Sequence, residues 1–246
     1  MLHVASPIPP FVPKNEDDII IPAVNGTKFV TEAAIRNKVK RLVFTSSCLT
    51  LFFGNEEKLL TEDDWADPSK CSHYPKSKIL AERALWELYN KQDLKGQHTE
   101  IVSVLPSLVL GPGMAVHGNS SEAQIAEIMK GGFSGYPNPE VNYTVVDVRD
   151  TAVGHIKALE QAGIDGQRIA LAGHNINMSE VFKLLKTEFP DLPINDKSQT
   201  IEEIKAHGNP VAQRTIMLAG KKFCVDSTKS KTLLKMEYTP VNKTIL

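Results

Sequence analysis

Tyr74-Pro75-Lys76-Ser77-Lys78 runs directly into Ile79-Leu80-Ala81-Glu82-Arg83-Ala84-Leu85-Trp86. In a helix, residues four apart share a face, so the Tyr74 phenol and the Lys78 ammonium point the same way. A cation beside a phenol favours the phenolate, and a tyrosine tuned in this way exchanges a proton with a carbonyl or alcohol oxygen near neutral pH. Taken alone, the pair reads more readily as a surface tyrosine and a solvated lysine. Its surroundings decide otherwise.

Upstream, Lys40-Arg41-Leu42-Val43-Phe44-Thr45-Ser46-Ser47-Cys48 reads as a short buried strand that runs out into two hydroxyls. Open α/β sheets place their chemistry at such strand ends. Downstream, Ile101-Val102-Ser103-Val104-Leu105 is a second buried strand, ending in Pro106-Ser107-Leu108-Val109-Leu110-Gly111-Pro112-Gly113. A strand ending in serine, then Tyr-x-x-x-Lys on a helix, then a strand ending in Pro-Ser is an ordered constellation.

That order resembles the extended branch of the short-chain dehydrogenase/reductase superfamily, in its dihydroflavonol reductase, cinnamoyl-CoA reductase and aldehyde reductase group. The segments Leu2-His3-Val4-Ala5-Ser6-Pro7, Pro22-Ala23-Val24-Asn25-Gly26-Thr27 and Ser77-Lys78-x-x-Ala81-Glu82-x-Ala84-x-Trp86 carry the resemblance as well. It implies an α/β fold: part of a Rossmann-type doubly wound parallel sheet with a smaller C-terminal substrate-binding region. Residues 1–112 would be the C-terminal part of the dinucleotide-binding domain. Residues 113–246 would be mainly substrate-binding, with elements able to return to the Rossmann core.

The resemblance also implies roles. Tyr74 would be the acid/base, Lys78 would lower its pKa and bond the nicotinamide ribose of NADP (or NAD), and Ser47 would hold the carbonyl oxygen. Ser47 is preferred to Ser46 because the family serine directly precedes a small residue, here Cys48. Val4, Ala5 and Ser6 would lie against the cofactor, with Pro106, Ser107, Leu108, Val109 and Ser121 on its nicotinamide side. In the plant dihydroflavonol reductases an asparagine contacts substrate where Phe52 stands here, a departure that tells against a flavonoid substrate, and the apolar loop of Leu49, Leu51, Phe52 and Phe53 beside Ser47 leads to the expectation of an apolar carbonyl substrate. Ser46 and Ser47 satisfying backbone groups, Pro106 stopping a strand and Val4 in the core are the structural alternatives.

Dinucleotide folds open with a strand, a glycine-rich turn and a helix whose N-terminus holds the pyrophosphate. The glycine clusters here, Gly111-Gly113 and Gly131-Gly132-Gly135, lack that spacing. By resemblance, the residues from Met1 to Pro7 match the end of the fourth strand of such a sheet. The chain is therefore expected to be a fragment or shortened form, trimmed at its C-terminus too and inactive alone. A catalytically idle binding protein and an epimerase or dehydratase remain the alternatives.

Composition sets the outer bounds. The 246 residues are 41% hydrophobic and 23% charged, with a net charge of −1, which gives no electrostatic reason to expect nucleic acid or an anionic membrane as partner. A small-molecule carbonyl or alcohol is the expected partner. The three cysteines, Cys48, Cys71 and Cys224, are too few and scattered for a disulfide framework or zinc site, so no metal is expected and a reducing cytoplasm fits.

Periodicity supplies the remaining elements. A helix is expected from Ile20 to Arg36 with Pro22 in its first turn, then an apolar loop from Cys48 to Gly54, and a surface loop from Glu56 to Lys70 anchored by Trp65. Ser72 is the expected N-cap of the Tyr74 helix, which should run to about Lys91. Ser120-Ser121-Glu122 should cap a helix ended by Gly131-Gly132. A strand from Tyr143 should turn into a helix near Asp150, and a further strand spans Ile169 to Gly173. Ser179 should cap the helix Glu180 to Phe189, and Asp226-Ser227 a short one to Leu234.

Overall fold

The computed structural model describes residues 1–8, 14–55, 57–113, 120–131, 141–197, 200–206 and 221–246. In chain order its elements are β1 (Leu2–His3), α1 (Asp17–Arg36), β2 (Arg41–Thr45), α2 (Leu49–Phe52), α3 (His73–Asn90), β3 (Glu100–Pro106), β4 (Leu108–Leu110) and α4 (Ser120–Met129). There follow β5 (Asn142–Asp147), α5 (Val148–Glu160), β6 (Arg168–Leu171), β7 (His174–Asn177), α6 (Met178–Glu188) and β8 (Lys222–Phe223). Short helices at Ile201–Ala206, Thr228–Leu233 and Val241–Ile245 complete the described chain.

The first sheet has the order β1-β2-β3-β6, with every neighbouring pair parallel. Its strands are continuous apolar runs because both faces are covered. Leu42, Phe44 and Ile101 face α1 and α3, packing on Ala23, Ala34, Ala81 and Leu85. Val43, Val102 and Val104 face the other way, among Ala158 of α5, Ile164, Ile169 and Leu171. Successive residues of β2 thus enter opposite cores, the period of two that a strand imposes. Helices on both faces of a parallel sheet make the doubly wound α/β architecture that the sequence leads one to expect.

In the second sheet β5 lies parallel to β4 and β8 and antiparallel to β7. Leu110, Ile128, Val145, Ile176, Val181, Phe182 and Leu185 form its core with α4 and α6. β3 and β4 are separated only by Ser107, so a single residue carries the chain from one sheet to the other.

Several local expectations are corrected. Helix α1 begins at Asp17, which puts Pro22 inside the helix rather than in its first turn. Packing of Ile19, Ala23, Thr27, Thr31 and Ala34 carries the helix through the missing N–H. The apolar loop after Cys48 is the helix α2. Ser72 occupies the N-cap of α3 without a side-chain capping bond. In α6 the cap is Asn177, whose carboxamide oxygen accepts the Ser179 N–H at 2.8 Å. Gly132, Gly135 and the side chains of Ser120 and Glu122 lie outside the described residues.

Gly131 ends α4 in the left-handed region, φ 70°, and a Cβ built on it would stand 2.5 Å from the Pro193 carbonyl oxygen. Gly131→Ala therefore combines a left-handed penalty of about 1–2 kcal/mol with a backbone clash. A loss of about 2–3 kcal/mol in urea unfolding is the expected result; a loss near zero would show that the α4 terminus is free to move.

Candidate active site at the carboxyl ends of the strands

Parallel strands of equal direction bring their carboxyl ends to one edge, and the sequence places its hydroxyls there. After β1 come Val4 and Ala5, both exposed, and half-buried Ser6. Val4 is 58% exposed, so it is not a core residue. After β2 come Ser46 and Ser47. They are held as continuations of the ladder, since the Ser46 N–H donates to Val104 O at 2.8 Å and the Cys48 N–H to Pro106 O at 2.9 Å. At the end of β3 stand Pro106 and then Ser107, whose N–H donates to Leu171 O at 3.1 Å.

The two serines differ. The Ser46 hydroxyl donates to Glu82 Oε2 at 2.6 Å in a buried contact. Ser47 is half-buried, and its Oγ accepts the Leu49 N–H at 3.2 Å, which leaves its own proton for another acceptor. Ser46 is therefore structural, and Ser47 is the serine available to a ligand.

Lys78 reaches the same strand end from α3. It is 4% exposed, and its Nζ donates to the Thr45 carbonyl at 3.3 Å. Burial lowers its pKa to about 8, opposed by the negative charge of Glu82 one turn along the helix. Tyr74 lies in the first turn of α3, and burial pushes its phenol up. Desolvation is the cause of that shift, and the expected lowering by Lys78 is not among its causes.

Around this core lie groups that local reading missed. His3 is buried edge-on to Phe44, with an unpartnered Nε2, and burial followed by the charge of Lys78 lowers its pKa. The Thr45 hydroxyl contacts His155 Nε2 at 2.7 Å, while His155 Nδ1 lies 2.8 Å from Thr151 O. That pairing fits a neutral imidazole with its proton on Nδ1, and burial pushes the His155 pKa down accordingly. The largest omission is Glu82 with Arg168. Fully buried Glu82 accepts from Arg168 Nε at 2.9 Å, Ser103 Oγ at 2.8 Å and Trp86 Nε1 at 3.3 Å as well as from Ser46. Arg168 also donates to the carbonyls of Glu62 and Asp64 and lies 3.8 Å over the Trp65 ring. A charge four residues beyond Lys78, on the inward face of α3, was the available signal for Glu82.

Phe52 requires a correction. It is 6% exposed and packs on Phe223 with ring centroids 5.0 Å apart, so its ring belongs to the core behind Ser47. Leu108 and Val109 are half-buried in β4. Ser121 lies in the first turn of α4, a helix packed against β4. A small apolar cavity adjoins β4, lined by Leu108, Leu110, Ile125, Ile128, Tyr143 and Ile176, among others. No cluster of three or more potential metal ligands occurs among the described residues. Nor is any described helix long and apolar enough to cross a membrane.

The residues present fit a dinucleotide's nicotinamide end. Ser107 Oγ is buried yet has no hydrogen-bond partner in the protein, an arrangement that is costly unless a ligand completes it. It sits at the strand edge that also carries Ser47 and the Lys78 contact.

Sequence comparison agrees. The model of the 3-beta hydroxysteroid dehydrogenase/isomerase family matches residues 1–179. The chain belongs to that family. Within it, the chain is similar to cinnamoyl-CoA reductase 2 of Arabidopsis thaliana, 33% identical over 204 residues that make up 80% of this chain and 58% of the relative. It is 30% identical to tetraketide alpha-pyrone reductase 2 of the same plant, over 82% of this chain and 64% of that one. The chain thus spans roughly three-fifths of the length of these curated relatives. Among solved structures, the yeast methylglyoxal/isovaleraldehyde reductase in complex with NADPH superposes with a TM-score of 0.75 at 28% identity, covering 99% of this chain and 73% of that one. These family members are extended short-chain reductases with Rossmann folds, the group that the serine, Tyr-x-x-x-Lys and Pro-Ser order indicates.

Proposed function

We propose that this chain carries the catalytic part of an NADP(H)-dependent reductase acting on the carbonyl group of a small apolar aldehyde or ketone. The observation that carries the reading is the convergence at one strand end of a buried lysine on the Thr45 carbonyl, the free hydroxyl of Ser47 and the Tyr74 helix. NADPH, when bound, supplies the hydride. Ser47 and Tyr74 hold the carbonyl oxygen, and Tyr74 gives the proton as negative charge develops there. Lys78 supplies a fixed positive charge beside that oxygen and a donor for the ribose. Val4, Ala5 and Ser6 offer an open strand end to the cofactor, and Ser107 an unpartnered hydroxyl, with Pro106, Leu108 and Val109 behind it. Ser121 closes the nicotinamide side from α4.

Apolar Leu49 and Phe53 in the segment after Ser47, and the cavity beside β4, support an apolar substrate over a sugar nucleotide, whose phosphates require basic partners. Phe52 shapes this wall from behind. The likeness to a methylglyoxal/isovaleraldehyde reductase points the same way. A reducing cytoplasm suits Cys48, Cys71 and Cys224 as thiols.

The pyrophosphate grip is the part that these residues are not expected to provide. It needs N–H groups converging at a helix N-terminus, and the chain has no glycine-rich turn of the required spacing. Residues 1–246 alone are therefore expected to show no saturable NADPH binding in fluorescence titration. A micromolar Kd would overturn that expectation. Fused to the segment of the NADPH-bound yeast reductase that this chain does not cover, the same residues should oxidise NADPH with isovaleraldehyde. Conversion of a nucleotide sugar without NADPH consumption would refute the reductase reading.

A further inference from the structure

We propose that Glu82 is the positioning residue of this site: a fully buried carboxylate on α3 that grips the Ser46 hydroxyl and Arg168, so that Ser47 is held at a fixed distance and angle from Tyr74 and Lys78. This deepens the reductase reading and rests on it for the roles of Ser47, Tyr74 and Lys78.

Tyr74, Lys78 and Glu82 lie on successive turns of α3, spaced four residues apart on one face. The reacting serine lies on a different element, the exit of β2. Backbone bonds to Val104 and Pro106 fix the strand exit to the sheet and do not fix it to the helix. The Ser46–Glu82 hydrogen bond ties the two one residue before Ser47, and the Lys78–Thr45 bond joins them one residue earlier. Ser103 Oγ adds the neighbouring strand β3 to the same carboxylate, and Arg168 adds β6. Arg168 in turn holds α2 through Thr50 Oγ1 and the segment after it through Glu62 O and Asp64 O, so the apolar wall around Ser47 is fixed from the same point.

Glu82 sits where helix, serine hinge and pocket wall meet, and its charge acts on Lys78. The groups that bear on Lys78 are His3 from β1, Tyr74 and Glu82 on its own helix, Arg168 from β6 through Glu82, and His155 of α5 through Thr45.

Two variants test the proposal, read by NMR on residues 1–246 and by kinetics in the fusion with the yeast segment. Glu82→Gln keeps the side chain's size and removes its charge, so the Lys78 titration, followed at its ε-carbon, should move down from about 8. Ser46→Ala removes the tie and leaves the Glu82–Arg168 pair whole. It should shift and broaden the Ser47 amide resonance with the Lys78 titration unmoved, and lower kcat by about tenfold to a hundredfold at nearly constant KM, because misplacement by an ångström costs on that order. If Glu82→Gln does not fold, Ser46→Ala decides. An unperturbed Ser47 resonance together with unchanged kcat in Ser46→Ala overturns the proposal. A fusion without any turnover, but with the Ser47 and Lys78 resonances shifting as described, would refute the reductase reading and leave the positioning role standing.

Discussion

Arg168→Met is expected to destabilise the folded chain by about 3–5 kcal/mol near neutral pH, the cost of leaving one partner of a buried ion pair without the other. Methionine preserves much of the stem volume, so the loss is electrostatic and in hydrogen bonds rather than in packing. It strands Glu82, which keeps only Ser46, Ser103 and Trp86, and it frees the Glu62 and Asp64 carbonyls. The deficit should depend on pH. Burial pushes the Glu82 carboxyl up, but the Arg168 charge and the hydrogen bonds from Arg168, Ser46 and Ser103 outweigh it, so the folded pKa is lowered. A lowered carboxyl pKa contributes stability above the unfolded pKa, lost as pH falls through the folded value. Without Arg168 the largest opposing influence on burial is gone, and the carboxyl takes up a proton on folding instead. The variant's deficit should then shrink as pH falls towards the ordinary carboxylate range. Urea unfolding near neutral pH and at about pH 5 measures this. An equal deficit at both would mean that lost packing, not the unpaired charge, dominates.

Tyr74→Phe, in the fusion that supplies a pyrophosphate site, should lower turnover by about two to four orders of magnitude, or about 3–5 kcal/mol of transition-state stabilisation. The ring stays, so the half-buried first turn of α3 keeps its packing and the NADPH affinity should change little. What is lost is the proton donor, a group whose interaction with the carbonyl oxygen strengthens as charge develops. Burial already raises the phenol's pKa, so the tyrosine is protonated at neutral pH and ready to act as an acid in the reductive direction. A Tyr74→Phe enzyme with near-normal turnover would remove the tyrosine from the mechanism.

The sequence by itself determined the parts of this protein that local pattern encodes. Apolar runs at Arg41–Thr45 and Glu100–Pro106 specify strands buried on both faces, and such strands belong to a parallel sheet between helix layers. The four-residue spacing of Tyr74 and Lys78 needs only a helix to share a face, and α3 provides it. Boundaries were less legible: α1 extends to Asp17 across Pro22, and Asn177 rather than Ser179 caps α6, because tertiary packing and a choice between adjacent polar residues settle those ends.

Only the tertiary structure decided how distant groups pair. Nothing in a local period links Glu82 to Arg168, 86 residues away, or to Ser46, whose bond to that carboxylate distinguishes it from an available Ser47. Nor does a local apolar run reveal which side it will face: Leu49–Phe52 reads as an apolar loop, and packing against Phe223 turns it into a helix with Phe52 inside the core. The physical reason is common to all these cases. Burial and hydrogen-bond satisfaction are properties of the space between elements. The chain encodes each element's apolar face locally, but the partner that desolvates Lys78, pairs Glu82 or leaves Ser107 Oγ unsatisfied is chosen only when those elements pack together.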